Sequence, residues 1–306
     1  MEPYQIFLQQ IINGLAIGVI YALIALGYTM VYGVIQLINF AHGEVFMVGA
    51  YLGLTLFTML GLPPEPSAWT LLWFLPLMVV FAAAGCGLLG LVIDRVAYRP
   101  VRNAPRLVPL ITAIGVSFVL QNVVMLVYGA ADKSFPPLFP QIRFTWANVS
   151  VTLLQIFILI VSLALMIGLH LFVRHTRWGK AMRACSDDLV AARVVGIPVN
   201  KTIAMAFFIG SCMAGAGGVL FGMYYNTINF HDGYLAGLKA FTAAVLGGIG
   251  NIPGAMLGGI LIGVLEGLGA GYLSSEWKNV FAFVILILIL LVRPSGLLGE
   301  RVAKKA

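Results

Sequence analysis

The stretch RHTRWGKAMRACSDDLVAARVVGIPVNK, Arg174 to Lys201, is the longest interruption between strongly apolar segments, and it carries six of the 18 Lys and Arg residues. Within it lies a short helix with both ends marked. Ser186 is placed to N-cap it, and Asp187 and Asp188 fall in a first turn, where the positive end of the helix dipole favours carboxylates. Leu189 to Val195 carry the helix. Gly196 suits the left-handed C-terminal position, and Pro198 forbids continuation. An amphipathic helix of about two turns on a basic loop has two readings. It is a docking element for a soluble partner, or a solvated linker held at a membrane by its positive charge.

Composition explains why the flanking segments are apolar. The 306 residues are 61% hydrophobic and 9% charged, with a mean hydropathy of +1.00. Soluble domains carry about 25% charged residues, so this chain reads as an all-α polytopic membrane protein. A pI near 9.4 raises the question of nucleic acid, but the basic residues form no stripe with aromatics. They lie in loops, where the positive-inside rule accounts for them. Cys86, Cys185 and Cys212 have no metal-ligand spacing and read as free thiols. The first Lys or Arg is Arg95, so the amino-terminal apolar segment is expected to stay in the mature chain rather than act as a cleavable signal.

A span needs about 20 apolar residues. Candidates are Ile6 to Tyr32, Gly43 to Leu60, Trp69 to Ile93, Leu107 to Tyr128 and Val149 to Val173. Beyond the basic loop come Thr202 to Tyr225, Gly237 to Gly250, Gly254 to Tyr272 and Val280 to Val292. The expectation is about nine transmembrane or re-entrant helices, within a range of about eight to ten, in a single domain of two related halves. Two joints stand out: IQLINFAHGE has no true turn, and GGIGNIPG would be a very short one. Broken helices of this kind are tolerated only where backbone faces protein or a watery path.

Arg95, Arg99, Arg102 and Arg106 form one basic loop, and Arg174, Arg177, Lys180, Arg183, Arg193 and Lys201 a second. Arg293, Arg301, Lys304 and Lys305 form a tail. The remaining Lys133, Arg143, Lys239 and Lys278 read as alternate-loop residues. An odd number of alternating spans puts all three rich segments in the cytoplasm and Met1 outside. Gly259, Gly263, Gly267 and Gly271 recur every four residues, and Gly14 and Gly18 form a second small-residue face. Such faces suit close helix contact within a bundle or at a subunit interface.

Enzyme motifs fare poorly. GCGLLG (Gly85 to Gly90) matches a dinucleotide fingerprint, but it lies inside an apolar span, so its glycines read as helix-packing residues. GIPVNKT (Gly196 to Thr202) lacks the glycine that a phosphate loop needs before the lysine. The chain therefore reads as having no ATPase and no cofactor of its own. Polar residues within spans are more informative, because a carboxylate at bilayer depth costs at least about 2.5 kcal/mol. Glu266 is one. Asn39, His42, Gly43 and Glu44 cluster at the first doubtful joint, where a restarting helix would aim its positive end at an anionic group. The alternative is that Glu44 caps that helix and His42 binds a backbone carbonyl. Gly248, Gly250 and Asn251 mark a second break, and paired breaks are the sign of a repeat-built transporter with its path between them.

INFAHGEVFMVGAY (Ile38 to Tyr51), RACSDDLVAARVVGI (Arg183 to Ile197) and AAVLGGIGNIPGAMLGG (Ala243 to Gly259) together resemble the permease subunits, LivH type, of ABC importers for branched-chain amino acids. The resemblance runs nearly end to end. It implies an inner-membrane location and transport of Leu, Ile or Val. It also implies a second permease of the LivM type, two cytoplasmic ATPases and a periplasmic binding protein. The loop 174–201, between the two halves, then couples ATP hydrolysis to opening. The family's Glu-Ala-Ala pattern maps onto Val190, Ala191, Ala192 and Gly196. With Val190 where the glutamate stands, polar contact passes to Asp187, Asp188 or Arg193. Arg183 and Ile197 complete the expected coupling set. An ion-coupled secondary transporter or channel, using Glu44 or Glu266, is the alternative; it has no need of a cytoplasmic knob.

Overall fold

A computed structural model describes residues 2–63, 67–105, 107–140, 142–146, 148–293 and 295–299. Met1, Arg106, Arg301, Lys304 and Lys305, named in the topology expectation, lie outside the described residues.

The chain begins with α1 (Pro3–Ile35), α2 (His42–Met59) and α3 (Ala68–Ile93). The last of these runs through a π-turn (Asp94–Tyr98) into the short α4 (Arg99–Val101). Next come α5 (Leu107–Tyr128), strands β1 (Lys133–Ser134), β2 (Arg143–Trp146) and β3 (Val149–Thr152), and α6 (Leu153–His175). The basic stretch holds α7 (Arg177–Asp187) and α8 (Leu189–Val194). The second half contains α9 (Val199–Tyr225), β4 (Thr227–Ile228), α10 (Asp232–Gly247), α11 (Ile252–Tyr272) and α12 (Lys278–Val292).

Each apolar segment read from the sequence holds a helix. Among the described residues, six stretches are long and apolar enough to cross a membrane: Pro3–Ile35, Trp69–Val101, Leu107–Tyr128, Leu153–His175, Val199–Tyr225 and Ile252–Tyr272. The helices α2, α10 and α12, of 18, 16 and 15 residues, are shorter. The protein is a polytopic helical membrane protein, with two small antiparallel ribbons, β1–β4 and β2–β3, at one end.

The core is α1. Lipid tails are as apolar as leucine, so helix association here rests on close packing rather than on removal from water. Its partner is α11, antiparallel to it, and the four-residue glycine repeat forms the seam. Gly263 sits against Gly18 and Gly14, and Gly267 against Gly14 and Gln10. The small-residue face is thus spent inside the chain, on this helix pair, and not on another subunit. The GCGLLG glycines pack likewise: Gly87 faces Cys212 and Phe208, and Gly90 faces Ser211 on α9.

The two ends of the bundle are chemically unlike. At the ribbon end, Gln9 of α1 exchanges hydrogen bonds of 2.8 and 3.0 Å with the backbone of Ser150. Phe135 N–H donates there to the Asn226 carbonyl (2.9 Å). At the opposite end, Arg102 bonds Asp94 (2.6 Å) and Asn200 (3.2 Å) beside α7 and α8. This second end gathers Arg95, Arg99, Arg102 and the basic stretch.

The halves repeat, and the repeat is inverted. Gln36 closes α1 with φ 52°, and its N–H donates to the Tyr32 carbonyl. Asn226 closes α9 with φ 56° and donates to the Gly222 carbonyl. Three residues on, Asn39 Oδ1 accepts from Ala41 N–H (3.1 Å), and at the same spacing Asn229 Oδ1 accepts from His231 N–H (2.8 Å). INFAHG and INFHDG are therefore one motif used twice. Each copy turns the chain from a long helix into a short one, and the copies enter the bundle from opposite ends. The mate of the NFAHGE joint is NFHDGY, not the GGIGN turn that sequence reading paired with it.

Candidate functional site

The two copies of the motif meet at their glycines. A Cβ on Gly43 would overlap the Gly233 carbonyl oxygen and lie 2.8 Å from the Gly237 α-carbon. One on Gly233 would lie 2.8 Å from the Gly43 carbonyl oxygen. Only glycine permits this backbone-to-backbone approach of α2 and α10, the two short helices.

Around the contact, Asn39, His42 and Glu44 are all buried inside the bundle. Tyr98, on the π-turn, donates its hydroxyl to Asn39 Oδ1 (3.1 Å), tying the joint to the basic end. Glu44 does not cap its helix. Its Oε1 accepts from the Ser117 hydroxyl of α5 (3.1 Å), while Oε2 lies over Gly233 and meets no hydrogen-bond donor among the described residues. The His42 ring stands edge-on to Tyr28, centroids 4.8 Å apart. The Ile24 carbonyl lies beside it without a hydrogen bond of good geometry.

Gly248, Gly250 and Asn251 are elsewhere. They form the tight turn from α10 to α11, with φ of 103° at Gly248 and 96° at Gly250. Asn251 Oδ1 accepts from Gly254 N–H (2.9 Å), and its Nδ2 donates to the Leu298 carbonyl (2.8 Å). The segment 295–299 wraps this turn, with Leu297 and Leu298 donating to the carbonyls of Leu246 and Gly247. One group of sequence-derived site residues thus lies at the start of α10 and the other just past its end.

The sequence reading missed a pair. Lys239 is not a loop residue: it sits within α10, buried, with its ammonium 3.0 Å from Glu266 Oε1 of α11 and 3.3 Å from the Tyr21 hydroxyl. The ammonium also stands 5.6 Å from the Tyr21 ring centroid. Glu266 therefore faces a cation of this chain rather than an open path.

In the basic stretch, helix formation differs in two respects from expectation: a second helix, α7, precedes the expected one, and the cap moves. Ser186 belongs to the last turn of α7, where its hydroxyl donates to the Arg183 carbonyl (2.6 Å). The cap of α8 is Asp188, whose Oδ1 accepts from Val190 and Ala191 N–H (2.7 and 3.0 Å). Asp187 ends α7 and is exposed. Gly196 does take the left-handed position, φ 85°, and Ile197 N–H returns to the Ala192 carbonyl (2.9 Å). Met182 and Cys185 anchor α7 in the core, and that burial pushes the Cys185 thiol up. Cys86, Cys185 and Cys212 are free thiols.

The outer face of α8 carries Val190, 70% exposed, and Val194, 82% exposed, with Ala191 and Arg193 beside them. Ala192 faces the opposite way, 3% exposed against this chain's own core. Arg183 lies back over α6, donating to the Arg174 carbonyl (3.3 Å). This two-turn element is fixed at both ends and presents aliphatic side chains away from the bundle.

The family described as "Branched-chain amino acid transport system / permease component" matches residues 10–290. The chain belongs to this permease family. The high-affinity branched-chain amino acid transport system permease protein LivH of Escherichia coli (strain K12) is 47% identical, with 99% of each chain covered. The corresponding protein BraD of Pseudomonas aeruginosa is 48% identical over 98% of each. The probable branched-chain amino acid transport permease protein LivH of Methanocaldococcus jannaschii is 32% identical over 90% of this chain and 88% of that one. Permease membership favours a transport subunit over an ion-coupled carrier, and the pairing of Glu266 with Lys239 removes one of the two carboxylates on which that alternative rested.

Proposed function

We propose that this chain is a permease subunit of an ABC importer for Leu, Ile and Val in the cytoplasmic membrane. It works with a second, LivM-type permease, two cytoplasmic ATPases and a periplasmic binding protein. The observation that carries the coupling role is the exposed aliphatic face of α8 on a capped, rigid knob at the basic end. Burying an exposed valine in a partner's groove contributes about 1.5 kcal/mol or more. Arg193 and the carboxylates of Asp187 and Asp188 frame that face for polar contact. The substrate path is assigned to the meeting of the two motifs, with Asn39, His42, Gly43 and Glu44 on one side and Gly233 on the other. Gly248, Gly250 and Asn251 close the far end of α10.

The test replaces Val190 and Val194 together by Asp. Leucine uptake is expected to fall at least about tenfold and the ATPases to be lost on co-purification, while the amount of this chain in the membrane stays unchanged. Normal uptake with normal ATPase retention would reduce the stretch to a linker. Ala192→Glu is the contrasting variant. It buries an unpaired carboxylate in this chain's own core, so the amount of folded protein falls as well.

Orientation follows from the same end. The basic end belongs in the cytoplasm and the ribbon end outside. In a cysteine-free background, an impermeant thiol reagent applied to intact cells should label Lys133→Cys and spare Arg177→Cys until the cells are opened. The reverse pattern would invert the topology.

A further inference from the structure

A cavity of about 720 Å³ opens at the basic end between the π-turn of α3, the start of α9 and α8. Four cationic side chains from these elements line it: Arg95, Arg99, Arg193 and Lys201. Its one carboxylate, Asp94, is already held by Arg102 at 2.6 Å. Arg99 and Arg193 also bear on the charge of Arg102, and Arg102 Nε is a buried donor that meets no partner among the described residues. Like charges converging around a cavity whose internal counterion is spent call for an external anion.

The remaining wall says which anion. Leu91, Val199 and Ala204 form it, and Pro198 flanks it. Leu91 belongs to the helix whose neighbouring Leu88 and Val92 are exposed, on a stretch apolar enough to cross a membrane. The cavity is therefore cationic at its rim, and its Leu91 side lies on the same helix as the exposed apolar side chains of Leu88 and Val92. A free inorganic anion would satisfy the arginines and leave that wall in water. An acidic segment of a soluble protein would do the same. A phosphodiester headgroup with an acyl chain lying on Leu91 and Ala204 satisfies both parts, as basic pockets between membrane helices do for acidic lipids.

We infer that this cavity binds an anionic phospholipid, seated directly behind the α8 knob through Arg193. Its phosphodiester lies among Arg95, Arg99 and Lys201, and one acyl chain lies on Leu91 and Ala204. The lipid then forms part of the wall against which α8 is held.

The full-length chain, purified in mild detergent, is tested by native mass spectrometry and thermal unfolding with three additives: phosphatidylglycerol, phosphatidylcholine and inorganic phosphate. Phosphatidylglycerol is expected to be retained and to raise the unfolding temperature, and the other two to do neither. Removing two charges in Arg95→Gln/Arg99→Gln should weaken retention on the order of thirtyfold. The control Lys133→Gln/Arg143→Gln, at the ribbon end, should retain lipid as the parent does. Arg95, Arg99 and Arg143 are exposed and Lys133 is half-buried, and the unfolding temperature without additive reports whether the variants are folded. Equal retention of phosphatidylcholine, reproduction of the effect by inorganic phosphate, or unchanged retention in Arg95→Gln/Arg99→Gln would each overturn the assignment. So would loss of the partner ATPases from that variant with its lipid intact, which would give the cavity to an acidic protein segment.

Discussion

Gly43→Val is expected to abolish transport and to lower the amount of folded chain severely. The side chain would enter the meeting point of α2 and α10, where the neighbours are the Gly233 carbonyl and the Gly237 α-carbon. Neither is a flexible side-chain end that can swing aside. Overpacking a close contact costs about 1–3 kcal/mol even where side chains can yield, and here two helices must separate. Separation would also pull Glu44 from Ser117 and His42 from its seat against Gly27. Gly115→Ala on α5 is the matched control. A Cβ there meets nothing within 4 Å, and alanine favours a helix over glycine by about 0.8–1 kcal/mol. Uptake of labelled leucine and detergent-extracted thermal unfolding would be measured for both. A Gly43→Val protein with ordinary stability and uptake would show that the two motifs need not touch.

Much of this architecture was legible in the sequence, because length and apolarity alone place each membrane helix. The capped helix in the basic stretch was legible too, though its cap was displaced from Ser186 to Asp188. The cause is α7: it is polar on one face, so it read as loop, yet it carries helix through Ser186, and the capping carboxylate is that of Asp188. The glycine repeat from Gly259 to Gly271 announced a close contact but not its partner, since α1 supplies that partner from the far end of the chain.

The repeat is also written in the sequence, as INFAHG and INFHDG, where glycine and hydropathy do not mark it. GGIGN attracts attention because glycine interrupts hydrophobicity. The real correspondence rests on the asparagine that receives the following backbone N–H and on the residue three before it that closes a helix in the left-handed region. Those are features of local geometry, which hydropathy does not weigh. Lys239 escaped for a different reason. A lone lysine at the edge of an apolar segment looks like a loop residue, and the carboxylate that holds it lies on another helix.

That pair carries the other large expected effect. Lys239→Met should destabilise the chain by roughly 3–5 kcal/mol, the cost of leaving a buried charge without its partner. Glu266 would remain 2% exposed, its Oε1 without the ammonium and its Oε2 already without a donor among the described residues. Glu266→Met should do comparable damage from the other side, leaving the ammonium, among the described residues, with the Tyr21 hydroxyl and ring. The double variant Lys239→Met/Glu266→Met is the informative one. Both charges are gone, the replacement volumes are similar, and exchange of a buried ion pair for packed apolar side chains is commonly neutral or stabilising. Thermal unfolding of the purified chain should therefore place the double variant well above either single one, a coupling that independent sites would not show. Additive losses, with the double variant worse than both singles, would mean that the two charges do not depend on each other. Leucine uptake then separates packing from transport. A double variant restored in stability but not in uptake assigns the pair a part in the transport cycle, whereas recovery of both makes it a pin between α10 and α11.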